Sequence, residues 1–326
     1  MRLTQIAKSA ALIFAVTTST NAMAESRKTY EDFIDVLWTF ESSIDPSKQA
    51  YYDTNWNTEV VDSYPKVTFP GRVVRDPETG EPIQEQNLTI KEYFTSIGIA
   101  DLYDPKQPTH DWKKIQAAVT NYLGFIGFQF QESDLQVLGY YNFETESIHG
   151  QTYPKHYVDV PVTHWEHGVT EYLETDPGVV ATPTVVTDTV RYIDENFTGK
   201  HGISSVADFK NPDKHLFIIK DHFVDKYNGI EAGLAKFGKT IDDFLGTEVT
   251  WDGLNPPVTP PPGGRSNNVV ITMSGLLAGA HLRGAEGVVS MLIYGKNPAD
   301  ESGTYMLQYV QDYAGYDTPF DKNQIN

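Results

Sequence analysis

Between Ile271 and Tyr294 the chain is apolar and crowded with small residues: Gly275, Ala278, Gly279, Ala280, Gly284, Ala285 and Gly287. Small side chains at helical spacing let neighbouring backbones approach closely. The segment therefore predicts a helix-turn-helix packed tightly in the middle of a helical core. A chain that must house it is mainly α, or α+β with the helices forming the core. The surrounding pattern agrees. Helical periodicity runs over about 189–197, 204–210, 212–228, 230–236 and 239–245. A last helix is expected from Gly303 to Tyr313, with Tyr305, Tyr309 and Tyr313 on one face. The stretch DGLNPPVTPPPGGRS, residues 252–266, reads as an exposed Pro/Gly excursion between helices.

The N-terminal half carries the candidate chemistry. A helix is predicted to start near Lys28 or Thr29, where Thr29 and Asp32 make a loose capping pattern. Phe33, Val36, Leu37 and Phe40 recur at helical spacing and predict its buried face. Pro46 stops it. Glu41 is then delivered at the helix end beside Trp38 and Phe40. Burial there would disfavour the charged carboxylate, as a general acid near neutral pH requires. The plain alternative is a solvated helix-end glutamate. Residues 50–110 hold many prolines and read as an insertion of short strands, with a hairpin around Arg72 to Gln84 and a helix over Ile90 to Ile97. Helices are also expected over Trp112–Tyr122 and Glu132–Tyr140, flanking a glycine-punctuated aromatic segment from Leu123 to Phe130.

Arg2 and Lys8, the apolar run Ala10–Val16 and the end Asn21-Ala22-Met23-Ala24 predict a secretory signal peptide, residues 1–24, with cleavage after Ala24. Residues 25–326 are expected to form a single exported domain, secreted or periplasmic in a bacterium, with no membrane span. Removing the two basic residues of the leader leaves 23 bases against 44 acids, a net charge of −21. So acidic a chain is a poor partner for nucleic acid or an anionic membrane surface. It suits a cationic glycan such as chitosan better than an anionic one such as peptidoglycan. The chain has no cysteine, which excludes disulfides, Cys-ligated zinc and a Cys nucleophile.

Three ordered segments carry a resemblance: Phe40-Glu41-Ser42-Ser43; Tyr122-Leu123-Gly124 through Phe128-Gln129-Phe130; and Ser274 to Val288, SGLLAGAHLRGAEGV. Asp300-Glu301-Ser302-Gly303-Thr304, followed by Tyr309 and Tyr313, extends it. Together they resemble secreted lysozyme-like proteins related to the lytic transglycosylases and goose-type lysozymes. The resemblance implies a lysozyme-like helical core with the 50–110 insertion. It implies a peptidoglycan lytic transglycosylase or muramidase-like activity without a cofactor. Carried over residue by residue, Glu41 takes the place of the catalytic acid and Ser42 that of the following serine. Gln129 resembles a groove-lining glutamine, and His281 the tyrosine of an Ala-Tyr-Asn step. Tyr309 is the favoured late aromatic, with Tyr305 and Tyr313 as alternatives. Leu282 stands where that step has asparagine, and Gln131 where the secreted group has glycine.

Cleaving a glycosidic bond needs one proton donor, and then a second carboxylate or help from the substrate itself. Asp53, Glu132 and Asp134 are candidates for the second carboxylate, though each reads first as a solvated loop or helix residue. His164-Trp165-Glu166-His167, with His156 and Asp159, lacks the H-E-x-x-H spacing, so no metal is expected. There is no G-x-S-x-G elbow. Two function classes remain. One is a cell-wall glycan-cleaving enzyme acting on peptidoglycan, chitin or chitosan. The other is a catalytically weak or inactive glycan-binding or assembly protein on the same fold, favoured by Leu282 and the insertion. The sequence names no protein partner.

Overall fold

The computed structural model describes residues 28–65, 67–68, 72–76, 83–121, 124–148, 151–154, 186–187, 192–300 and 303–321. The expected signal peptide, Tyr122, Leu123 and the histidine-rich 156–167 stretch lie outside them. The described residues are mainly helical with a small amount of sheet. They divide into two compact units, Trp38–Lys220 and Met1–Leu37 with Asp221–Asn326. One division falls inside helix α1, Tyr30–Ser42, and the other inside a later helix.

The Trp38–Lys220 unit contains the end of α1 and helix α2, Gln49–Thr54. Strand β1, Glu59–Pro65, pairs antiparallel with β4, Gln84–Thr89, in a register that sets Val61 opposite Leu88. Between them β2, Val67–Thr68, and β3, Arg72–Arg75, form the hairpin, and β3 pairs on its other side with β7, Val186–Thr187. The hairpin thus lies N-terminal to its expected place, and Gln84 begins the longer outer pair. Helix α3, Ile90–Ser96, opens with a full capping box between Thr89 and Glu92. Helices α4, Trp112–Ala118, and α5, Glu132–Val137, follow, then the hairpin β5, Thr145–Ile148, with β6, Gln151–Pro154. Helix α6 is Val206–Phe209, and α7, Pro212–Ala235, leaves the unit.

Residues 50–110 are more than a surface insertion. Ile44, Tyr52, Ile90, Phe94, Ile97, Ile99, Tyr103 and Ile115 form one buried apolar cluster. Trp56 and Trp112 pack against it. The Tyr103 ring stacks on Trp56 and His110, with centroids 5.2 and 4.2 Å away. The prolines break periodicity along the chain, but the aromatics between them meet in space.

The other unit is built on small-residue packing. Helix α8, Met273–Tyr294, is capped by Thr272, whose side chain accepts from the Gly275 amide, and is closed by left-handed Gly295. Arg283 and Gly284 leave helical geometry, so the expected helix-turn-helix is realised as a kink. A Cβ on Gly275 would lie 2.4 Å from the Val310 carbonyl oxygen of α9, Met306–Asp312. On the α7 side, a Cβ on Gly229 would come within 2.8 Å of Ala285, and one on Gly233 within 2.6 Å of Val289. This contact explains why 212–228 and 230–236 are one helix: Gly229 is a docking notch rather than a breaker. Among the described residues one helix, α8, is long and apolar enough to cross a membrane. Its residues Met273 to Ala280, with Val288 and Met291, are buried. The Pro/Gly loop is largely exposed and joins two strands, β8, Glu248–Thr250, and β9, Asn268–Val270. Arg265 clamps it to Asp312 through two bonds of 2.7 Å.

Candidate functional site

Glu41 owes its position to the buried stripe of α1. That stripe is Phe33, Ile34, Leu37, Trp38, Glu41 and Ser42. It is not the expected one: Val36 and Phe40 are 43% and 47% exposed. Phe33 and Leu37 belong to both helical stripes. The larger apolar surface of Trp38 with Ile34 turns the helix so that Glu41, one turn after Leu37, faces inward. Glu41 is only 8% exposed.

The helix stops immediately beyond. Ser43 takes φ +56°, the left-handed geometry of a helix C-terminus. The Ser42 hydroxyl donates to the Trp38 carbonyl at 2.7 Å and accepts from the Ile44 amide. Ser42 therefore shapes the helix end. Gln116 of α4 donates to the Ile44 carbonyl at 2.8 Å and to the Thr39 hydroxyl at 3.1 Å.

The turn Ile126–Gln129 brings the expected amide to Glu41. Phe128 and Phe130 are buried on either side, so Gln129 projects away from them, with φ +60°. Its Nε2 donates to the Glu41 carbonyl at 2.6 Å and to Glu41 Oε2 at 3.1 Å. Its Oε1 accepts from Asn121 Nδ2 at 2.9 Å, and Asn121 Oδ1 accepts from the Phe125 amide at 3.0 Å. Partners on both sides thus orient the amide. A buried polar group costs about 1–3 kcal/mol when unsatisfied, so the Gln129 bond to Oε2 offsets part of the cost of burying this carboxyl.

Behind the turn lies His215, fully buried. Its Nδ1 is 2.8 Å from the Phe209 carbonyl, and its Nε2 accepts from the Phe128 amide at 3.3 Å. Its ring stacks with those of Trp38, Phe128 and Phe209. Burial pushes its pKa down to about 4.

Of the other candidate carboxylates, Asp53 accepts from the Tyr103 hydroxyl at 2.6 Å, and Asp134 closes the capping box of α5. Glu132 is 4% exposed and, with Glu41, is one of two buried carboxylates among the described residues. Its charge is a minor contributor to the raised pKa of buried Tyr141, after burial itself. His281 and Tyr309 belong to the other unit. His281 Nδ1 lies 3.2 Å from His222 Nε2 of α7. Burial, then the neighbouring charges of His281 and Lys226, hold the His222 pKa well below its ordinary value. Tyr309 is buried against Tyr313, with ring centroids 5.4 Å apart. No group of three His, Cys, Asp or Glu able to hold a metal occurs among the described residues.

Asn121, Gln116 and His215 were not read as site residues from sequence. Asn121 lies eight residues before Gln129, whereas Gln116 and His215 come from separate helices. The geometry defines a mainly helical protein with a buried helix-end carboxylate clasped by an oriented amide. Comparison with protein-family models, curated proteins and solved structures finds no match that would place this architecture in a family.

Proposed function

We propose that the protein cleaves a GlcNAc-containing cell-wall glycan, with Glu41 as general acid and then base on a lysozyme-like helical core. The observation that carries this reading is the Glu41 carboxylate, buried at a helix end and held by Gln129 Nε2 at 3.1 Å. The resemblance of the Glu41-Ser42, Gln129 and Ser274–Val288 segments supports it, together with the export expected from residues 1–24.

In this mechanism the oxygen that accepts from Gln129, Oε2, is the carbonyl-type oxygen of the protonated acid, so the transferable proton sits on Oε1. Glu41 gives that proton to the glycosidic oxygen as the C1–O bond breaks, and the substrate's N-acetyl group stabilises the cation at C1. The resulting carboxylate then takes a proton from the sugar's own 6-hydroxyl, which closes a 1,6-anhydro ring. If a water enters instead, the product is an ordinary reducing end. One carboxylate is sufficient for the ring closure.

One observation favours a second reading. The shorter of the Gln129 bonds goes to the Glu41 backbone carbonyl, at 2.6 Å, as a plain helix cap would. On that reading the protein binds glycan without cleaving it. Glu41→Gln separates the two. It should abolish turnover on purified peptidoglycan and chitosan while leaving the fold and glycan affinity nearly intact. Undiminished lysis by the variant would refute the acid role.

A further inference from the structure

We infer that His215 is a positioning residue for the Glu41–Gln129 pair, acting through the Ile126–Gln129 turn and only in its Nδ1–H tautomer. This rests on the reading of Glu41 as the working carboxylate, but its structural content can be tested separately.

The tautomer follows from the partners. The Phe209 carbonyl can only accept, so the nitrogen 2.8 Å from it, Nδ1, carries a hydrogen. The Phe128 amide can only donate, so Nε2 must be bare to receive it at 3.3 Å. The opposite tautomer would set two donors against each other at Phe128 and two acceptors at Phe209.

The contact with the turn is close on all sides. Gly127 has φ +59°, and a Cβ there would sit 2.5 Å from His215 Nε2. Only glycine lets the imidazole edge reach the backbone of the turn. The His215 ring also lies 5.8 Å from that of Trp38, nearly parallel. Trp38 is three residues before Glu41 on the same buried stripe. His215 therefore touches both pieces that must meet, the α1 end bearing Glu41 and the turn bearing Gln129. Gln129 is itself in left-handed backbone geometry, uncommon for a residue with a side chain. A conformation of that kind persists only where its surroundings fix it, and the Nε2–Phe128 bond, one residue away, acts beside the Gln129 amide's own bond to the Ile126 carbonyl at 3.1 Å and that of Gly127 to the Val119 carbonyl at 3.0 Å. Trp38, Phe128, Phe130 and Phe209, the rings packed against His215, carry no charge.

The test uses the full chain, labelled with nitrogen-15, and two variants. His215→Phe keeps a flat buried ring without nitrogens. His215→Gln keeps an acceptor close to the place of Nε2. The readout is the pair of side-chain amide signals of Gln129, assigned by their absence from Gln129→Leu. In folded His215→Phe these signals should move toward those of a free glutamine, and His215→Gln should restore them. Cleavage, where wild type shows it, should follow with a loss of about tenfold or more in kcat and a smaller change in KM. Unmoved Gln129 signals in folded His215→Phe would overturn the inference. If that variant does not fold, the imidazole nitrogen spectrum of the wild type decides: a bare Nε2 at His215 supports the inference, and a protonated one at neutral pH overturns it. A wild type inactive on glycan would refute the functional reading while leaving the Gln129 signals to judge this one.

Discussion

Acidification should weaken the fold through His215, by an amount the structure sets. The unfolded chain protonates this imidazole near 6.5, whereas the folded protein resists down to about 4. Between those values the unfolded state binds more protons, so stability falls as the pH falls. The contribution is complete above about pH 6.5 and is lost by about pH 4. At about 1.36 kcal/mol per pH unit, the difference corresponds to about 3 kcal/mol. His222 pulls the same way, because its pKa is also held down by burial. It is common to both proteins compared and cancels. The assay is urea unfolding of wild type and His215→Gln from about pH 7 to about pH 4. The variant starts lower by a roughly constant 1–3 kcal/mol for an imperfectly remade bond, so the slope decides. Wild type should lose about 3 kcal/mol more than the variant over this range. Parallel lines would show that His215 is not a buried neutral imidazole, and the account of the turn would fail with it.

Other expectations are simpler. Gly275→Ala drives a methyl toward the Val310 carbonyl of α9 and should cost about 1–3 kcal/mol, read as a lower Tm. An unchanged Tm would mean that α8 and α9 are not in close contact. Gln129→Leu leaves the Glu41 carbonyl and carboxylate without their amide donor. It should cost about 1–3 kcal/mol in urea unfolding and lower glycan cleavage; full stability and activity would remove Gln129 from the site. EDTA should leave stability and activity unchanged, and a loss restored by added zinc would place a metal in the protein.

The helical character of the chain and several helix ends were legible, because they depend on neighbours in sequence. Thr29 and Asp32 do form their reciprocal bonds, at 2.8 and 3.1 Å. The segment expected to be helical from Ile271 to Tyr294 forms α8, Met273–Tyr294. The face of α1 was not legible. Phe33 and Leu37 fit two stripes one residue apart, and only packing chooses Trp38 over Phe40. That choice carries Glu41 inward, so the misread stripe understated the main candidate. The pairing of Gln129 with Glu41 was anticipated through a resemblance and not through spacing, since 88 residues separate them. His215 carried no signal: its partner Gly127 is 88 positions away, and neither residue is unusual alone. The core of residues 50–110 was hidden for a related reason. Its members, from Tyr52 to Tyr103, follow no single period and meet only through strands, helices and turns together.

The central claim is that Glu41 breaks a glycosidic bond. The most direct measurement is mass spectrometry of the soluble products after wild type and Glu41→Gln are incubated with purified peptidoglycan and, in parallel, chitosan. The account predicts newly formed sugar ends from wild type, 1,6-anhydro ends where the 6-hydroxyl is the acceptor, and none from Glu41→Gln. New ends in equal amounts from both proteins, or none from wild type on either polymer, would contradict it.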